Sequence, residues 1–138
     1  VGGDLLYLDS SALVKLVIVE AESAALLEMI AEWPARVTSE LAQVEVLRAA
    51  RRTRGGPAVE WRAEQVMAAF HLLRIDGRIL DQAARLEPRT LRSLDAIHLA
   101  SAMSLGADLA AMVVYDEALA AAGAAQGLDV LAPGARGE

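Results

Sequence analysis

A chain of 138 residues, 55% hydrophobic but only 4% aromatic, is long enough for one domain with an aliphatic core and too short for two ordinary ones. It has no cysteine, which excludes a disulfide scaffold, a thiolate metal site and a cysteine nucleophile. A net charge of −6 and a pI of about 4.9 exclude binding of a polyanion through a broad basic field, leaving a local basic patch or bound metal ions.

The abundance of Ala and Leu favours a helix-rich domain with a few short strands. No apolar run reaches the roughly 18 residues of a membrane span. Asp4, Asp9 and Lys15 interrupt the first apolar residues, and no basic segment precedes them, so the start does not resemble a secretory signal. A soluble cytoplasmic protein is the expectation. The apolar surplus also points to a buried subunit interface.

In chain order, Leu5 to Leu8 is a short apolar run stopped by Asp9-Ser10-Ser11, the pattern of a buried strand entering a helix cap. Residues 12–19 then form a helix whose only charge is Lys15. The spacing of Ala25, Leu26, Met29, Ile30 and Trp33 predicts a second helix over residues 22–33, ended by Pro34. Residues 36–38 are a brief strand, and Ser39 is the expected cap of a third helix. Its buried side is marked by Leu41, Val44 and Leu47, with Glu45 near the edge. Gly55-Gly56-Pro57 ends that helix.

Residues 58–71 form a fourth helix, 72–75 a strand, and 77–86 a fifth helix stopped at Glu87-Pro88. Ser93 caps a sixth helix over residues 94–105, closed by Gly106. Residues 110–115 are the next strand, Asp116 opens a seventh helix, and residues 128–131 are a last short strand. Strands alternating with helices predict an α/β fold with a parallel sheet of about four or five strands, covered on both faces by about seven helices. Residues 1–138 form one domain, with 132–138 expected to fray.

Asp9, Glu45, Asp95 and Asp116 share a context. Three of them follow an apolar run or sit in the first turn of a helix. In α/β domains, ligands bind beyond the carboxyl ends of the strands. Singly, Asp9 and Asp116 are good helix caps, and Asp95 favourably meets the positive end of a helix dipole. Glu45 lies too far into its helix for either role; an i,i+3 pair with Arg48 is its simplest explanation.

Together the four would repel one another unless a cation intervened, provided that the first and fourth strands are neighbours. An all-oxygen set without Cys suits Mg²⁺ or Mn²⁺, and such ions activate water and neutralise phosphoryl charge. His98, one turn after Asp95, is a core or supporting group, with a shared metal role as the alternative. Arg48, Arg51, Arg52 and Arg54 crowd one segment, as a solvated helix face or as a phosphate-binding patch. No His neighbours Ser10 or Ser11 in sequence, which argues against a serine hydrolase.

These stretches resemble the PIN-domain ribonucleases, and most closely the VapC toxins of bacterial toxin–antitoxin pairs. The likeness runs through residues 7–16, residues 39–49 with Glu45, residues 94–102 and residues 114–119. The resemblance implies a three-layer α/β/α domain and cleavage of RNA phosphodiesters by water activated with Mg²⁺ or Mn²⁺, usually leaving a 5′-phosphate and a 3′-hydroxyl. It further implies Asp9, Glu45, Asp95 and Asp116 as catalytic and metal-site carboxylates and Ser10 as their polar support; in such a ribonuclease, Arg48, Arg51 or Arg52 is the expected contact to the flanking RNA backbone. A homodimer held by a cognate VapB-like antitoxin, as a heterotetramer or larger, also follows from it.

Val114 departs from the Thr or Ser common two residues before the last acidic position, which puts Asp116 and the second metal site in question, with Glu40 and Glu117 as substitutes. A haloacid-dehalogenase phosphatase would need an Asp at Ser11. A receiver domain would need a late Lys, whereas Lys15 is the only lysine. A PIN-like module that has lost activity and only binds protein is the remaining alternative.

Overall fold

The computed structural model describes residues 3–135. The chain alternates β1 (Leu5–Leu8), α1 (Ser10–Val17), α2 (Ser23–Ala31), β2 (Arg36–Ser39), α3 (Leu41–Arg52) and α4 (Pro57–Ala68). It continues through β3 (His71–Leu73), α5 (Gly77–Arg85), α6 (Ser93–Met103), β4 (Leu109–Val113), α7 (Glu117–Ala125) and β5 (Val130–Leu131). All five strands pair in parallel in the order β3-β2-β1-β4-β5. The first and fourth strands are therefore neighbours, as convergence of the acidic residues requires.

Strand alternation divides the core into two layers. Leu6 and Leu8 of β1, with Ala111 and Val113 of β4, face a cluster built with Leu13, Val17, Leu26, Ile30, Val46, Ala63 and Met67 from α1 to α4. Tyr7 and Met112, one residue out of phase, face Leu99, Ala102, Leu119 and Ala122 of α6 and α7. With α5 packed on α6, the arrangement is three-layered, helices covering both faces of the sheet.

Several boundaries differ from those predicted. The first helix ends at Val17, and Ile18 is already extended. Residue 71 leaves the fourth helix for β3, because pairing with β2 in the register Val37↔His71 and Ser39↔Leu73 takes over. The strand stops at Leu73, and the amide of Ile75 donates instead to Glu40 Oε1 at 3.0 Å. Arg92, not Ser93, occupies the N-cap of α6.

The buried stripe of α3 is Ala42, Val46 and Ala50 rather than Leu41, Val44 and Leu47; Val44 is 59% exposed. Small Ala side chains let α3 approach α1 and α4 closely, an advantage that a ranking by hydrophobicity misses. Of the expected frayed tail, residues 136–138 lie outside the described residues. Within 132–135, the Ala135 amide donates to the Ala132 carbonyl at 3.0 Å and Tyr115 Oη donates to the Pro133 carbonyl at 2.8 Å.

Candidate active site

The site is built where β1 and β4 end side by side. Asp9 directly follows β1, with its backbone extended, and its amide donates to the Val113 carbonyl of β4 at 3.4 Å. Its parity places it on the same side of the sheet as Tyr7, toward α6. The carboxylate caps α1: Oδ1 accepts from the Ala12 amide at 3.0 Å, and Ser11 Oγ donates to it at 2.9 Å. Only 3% of Asp9 is exposed. Burial pushes its carboxyl above the usual carboxylate range and the charge of Asp95 adds to this, against the Ala12 amide, His98 and Ser11. Asp9 and Asp95 thus lie within electrostatic reach of each other.

Glu45 projects from α3 beside the buried Val46 and turns to Ser10 and His98; among the described residues it makes no ion pair with Arg48. Ser10 Oγ donates to Glu45 Oε1 and lies 3.0 Å from His98 Nε2. His98 Nε2 is 2.8 Å from the same Glu45 oxygen, and His98 Nδ1 is 2.7 Å from Tyr7 Oη. An ionised carboxylate only accepts, so Nε2 carries the proton toward Glu45, and in the neutral ring Nδ1 accepts from Tyr7. Burial raises the Tyr7 hydroxyl far above its ordinary pKa, so it stays a donor. Burial alone would raise Glu45 too, but the hydrogen bonds from His98 and Ser10 outweigh it and hold the carboxyl below its usual value.

Asp95 lies in the first turn of α6 and Asp116 is the N-cap of α7, where Oδ1 accepts from the Leu119 amide at 2.9 Å. One guanidinium joins them. Arg92 Nε stands 3.3 Å from Asp95 Oδ2, and its Nη2 3.2 Å from Asp116 Oδ2. The capping roles of Asp9 and Asp116 are therefore real, and each cap leaves one further oxygen of the carboxylate.

Among the described residues, no three His, Asp or Glu side chains are gathered tightly around a single cation position. Asp9 is turned to Ser11, Glu45 to His98 and Ser10, and Asp95 and Asp116 to Arg92. The donor chemistry nonetheless fits a hard divalent ion: four elements each contribute a carboxylate, and that of Asp9 is buried, its carboxyl raised chiefly by burial and further by the charge of Asp95. Glu40 is engaged with Ile75, and Glu117 is exposed in the first turn of α7.

Arg48, Arg51 and Arg52 are exposed on α3 from one turn beyond Glu45 onward, and among the described residues none of the three makes an ion pair or side-chain hydrogen bond. Two residues escape the sequence reading. Arg92 looks like a loop cation, although its place three residues before Asp95 is a pairing distance across a helix start. Tyr7 looks like plain core, although strand parity aims it at the His98 side.

Residues 6–124 match the family model of the PIN domain. The chain is 44% identical over 128 residues to Ribonuclease VapC46 of Mycobacterium tuberculosis (strain ATCC 25618 / H37Rv), covering 93% of this chain and 97% of the relative. It is similar to the crystal structure of Mycobacterium tuberculosis VapC20, a sarcin-ricin loop cleaving toxin, with a TM-score of 0.72 at 18% identity, over 93% of this chain and 99% of that one. The crystal structure of VapBC2 from Rickettsia felis, bound to a DNA fragment from its promoter, gives a TM-score of 0.72 at 10% identity, over 94% of this chain and 98% of that one. At such identities the solved structures speak for a shared fold.

Proposed function

This chain belongs to the PIN-domain family, alongside the VapC ribonucleases, and from that premise we propose that it is a toxin that hydrolyses RNA phosphodiester bonds with the help of Mg²⁺ or Mn²⁺. What supports the reading is a chain of contacts: Asp9 at the carboxyl end of β1 feels the charge of Asp95, Arg92 joins Asp95 to Asp116 beyond β4, and His98 and Ser10 hold Glu45. These four carboxylates would hold the cation, which when bound lowers the pKa of a water and neutralises charge developing on a phosphoryl oxygen.

The chain's own groups supply the rest. Ser10 and His98 fix the Glu45 carboxylate, and Tyr7 fixes the His98 ring from the core side. Ser11 and the Ala12 amide hold Asp9 at the strand end. Arg48, Arg51 and Arg52 offer unpaired guanidinium groups to the RNA backbone on the exposed side of α3. Partners follow by kinship: a VapB-like antitoxin, as in the Rickettsia felis pair, and a second copy of the chain. No helix among the described residues is long and apolar enough to cross a membrane, and the proposed place of action is the cytoplasm.

Purified protein incubated with RNA tests the reading. Cleavage is expected with Mg²⁺, is lost in EDTA, and is abolished by Asp9→Asn. A wild type that, like Asp9→Asn, leaves the RNA uncut with Mg²⁺ would instead identify an inactive protein-binding module.

A further inference from the structure

Arg92 makes the only ion pairs to Asp95 and Asp116 among the described residues, and its position is costly for its own helix. It is the N-cap of α6, with extended backbone (φ −65°, ψ 149°) and no side-chain capping bond. A cation there faces the positive end of the helix dipole, where negative charge is favoured. Helix stability therefore does not account for it. What holds the guanidinium is the pair of carboxylates from two different helices, each reached through its Oδ2 atom. The Arg92 side chain is 76% exposed, so it is free to swing away, whereas Asp95 and Asp116 are 19% and 32% exposed and stay with their helices.

We propose that Arg92 is an exchangeable counter-ion that competes with the divalent cation for Asp95 and Asp116. In the metal-free protein its single charge relieves the repulsion between the two carboxylates. A divalent ion taking either Oδ2 competes with that bond and meets a positive charge beside it. Loading is therefore opposed while Arg92 stays in place, and Arg92 holds down the affinity of the site for the ion. The inference rests on the metal-dependent reading above and deepens it. A gathering role predicts the opposite sign: if Arg92 chiefly kept the two carboxylates together, its removal would weaken metal binding.

The test is Mn²⁺ binding to the RNA-free protein, read by electron paramagnetic resonance, for the wild type, Arg92→Gln and Arg92→Lys, with circular dichroism to verify folding. Removing one positive charge beside a divalent ion at a partly exposed site should raise Mn²⁺ affinity roughly five- to ten-fold in Arg92→Gln at low salt. Arg92→Lys keeps the charge and should stay near the wild type. The gap between wild type and Arg92→Gln should narrow as potassium chloride screens the repulsion. Affinity in Arg92→Gln that is equal to or weaker than the wild type overturns the competition and leaves the metal-dependent reading standing. No Mn²⁺ bound by any of the three overturns both.

Discussion

Asp9 serves as a helix cap and as the most deeply buried acid of the site, and the two roles pull its stability in opposite directions. The cap is worth about 1 kcal/mol to α1. Burial, in contrast, raises the carboxyl, so the folded chain binds that proton more tightly than the unfolded chain does. The penalty is full above the raised folded value and fades as the pH falls through it. Glu45 behaves in the opposite sense. Its carboxyl is lowered despite burial, because His98 and Ser10 donate to it, so its contribution is present above the unfolded value and lost as the pH falls through the folded one. Asp9→Asn keeps the cap and deletes the buried charge. In EDTA at neutral pH the variant should be about 1 kcal/mol more stable than the wild type, roughly 3–5 °C in Tm. The gain should shrink as the pH is lowered toward the raised Asp9 value. Thermal unfolding followed by circular dichroism checks this, and a variant melting below the wild type would show that the charge is not a burden.

At the scale of the elements, the sheet explains why three of the four acidic residues were legible from sequence and why their surroundings were not. Asp9 and Asp116 follow apolar runs, and Asp95 opens a helical pattern, so their strand-end and helix-start positions are written locally. Glu45 is harder, since its setting depends on which side of α3 is buried, and Ala42 and Ala50 prevailed over the larger Val44. Arg92 and Tyr7 act through contacts to residues distant in sequence, which no local pattern announces. The second core layer gives a direct check on the element account. Leu99 of α6 is fully buried between Tyr7, Met112 and Leu119, and a β-carbon on Gly123 would come within 3.8 Å of it. Leu99→Ala should lower stability by about 2–5 kcal/mol in urea unfolding. A loss below about 1 kcal/mol would mean that α6 is not clamped between the sheet and α7 as described.

For the whole molecule, a chain of net charge −6 acting as the proposed ribonuclease would have to put its attraction for RNA in few places. On the proposed reading, the acidic residues beyond β1 and β4 would need a cation before accepting a phosphate, and the exposed arginines of α3 lie on the helix that also carries Glu45. The order of the strands, which no single segment reveals, brings the two together by setting β2 and β4 on either side of β1. The most direct test of this arrangement is a crystal grown with Mn²⁺ and measured at its absorption edge. An anomalous peak about 2 Å from carboxylate oxygens of Asp9 and of Asp95 or Asp116 is the predicted result. At saturating Mn²⁺, no peak at that edge, or a peak only elsewhere on the surface, would contradict it.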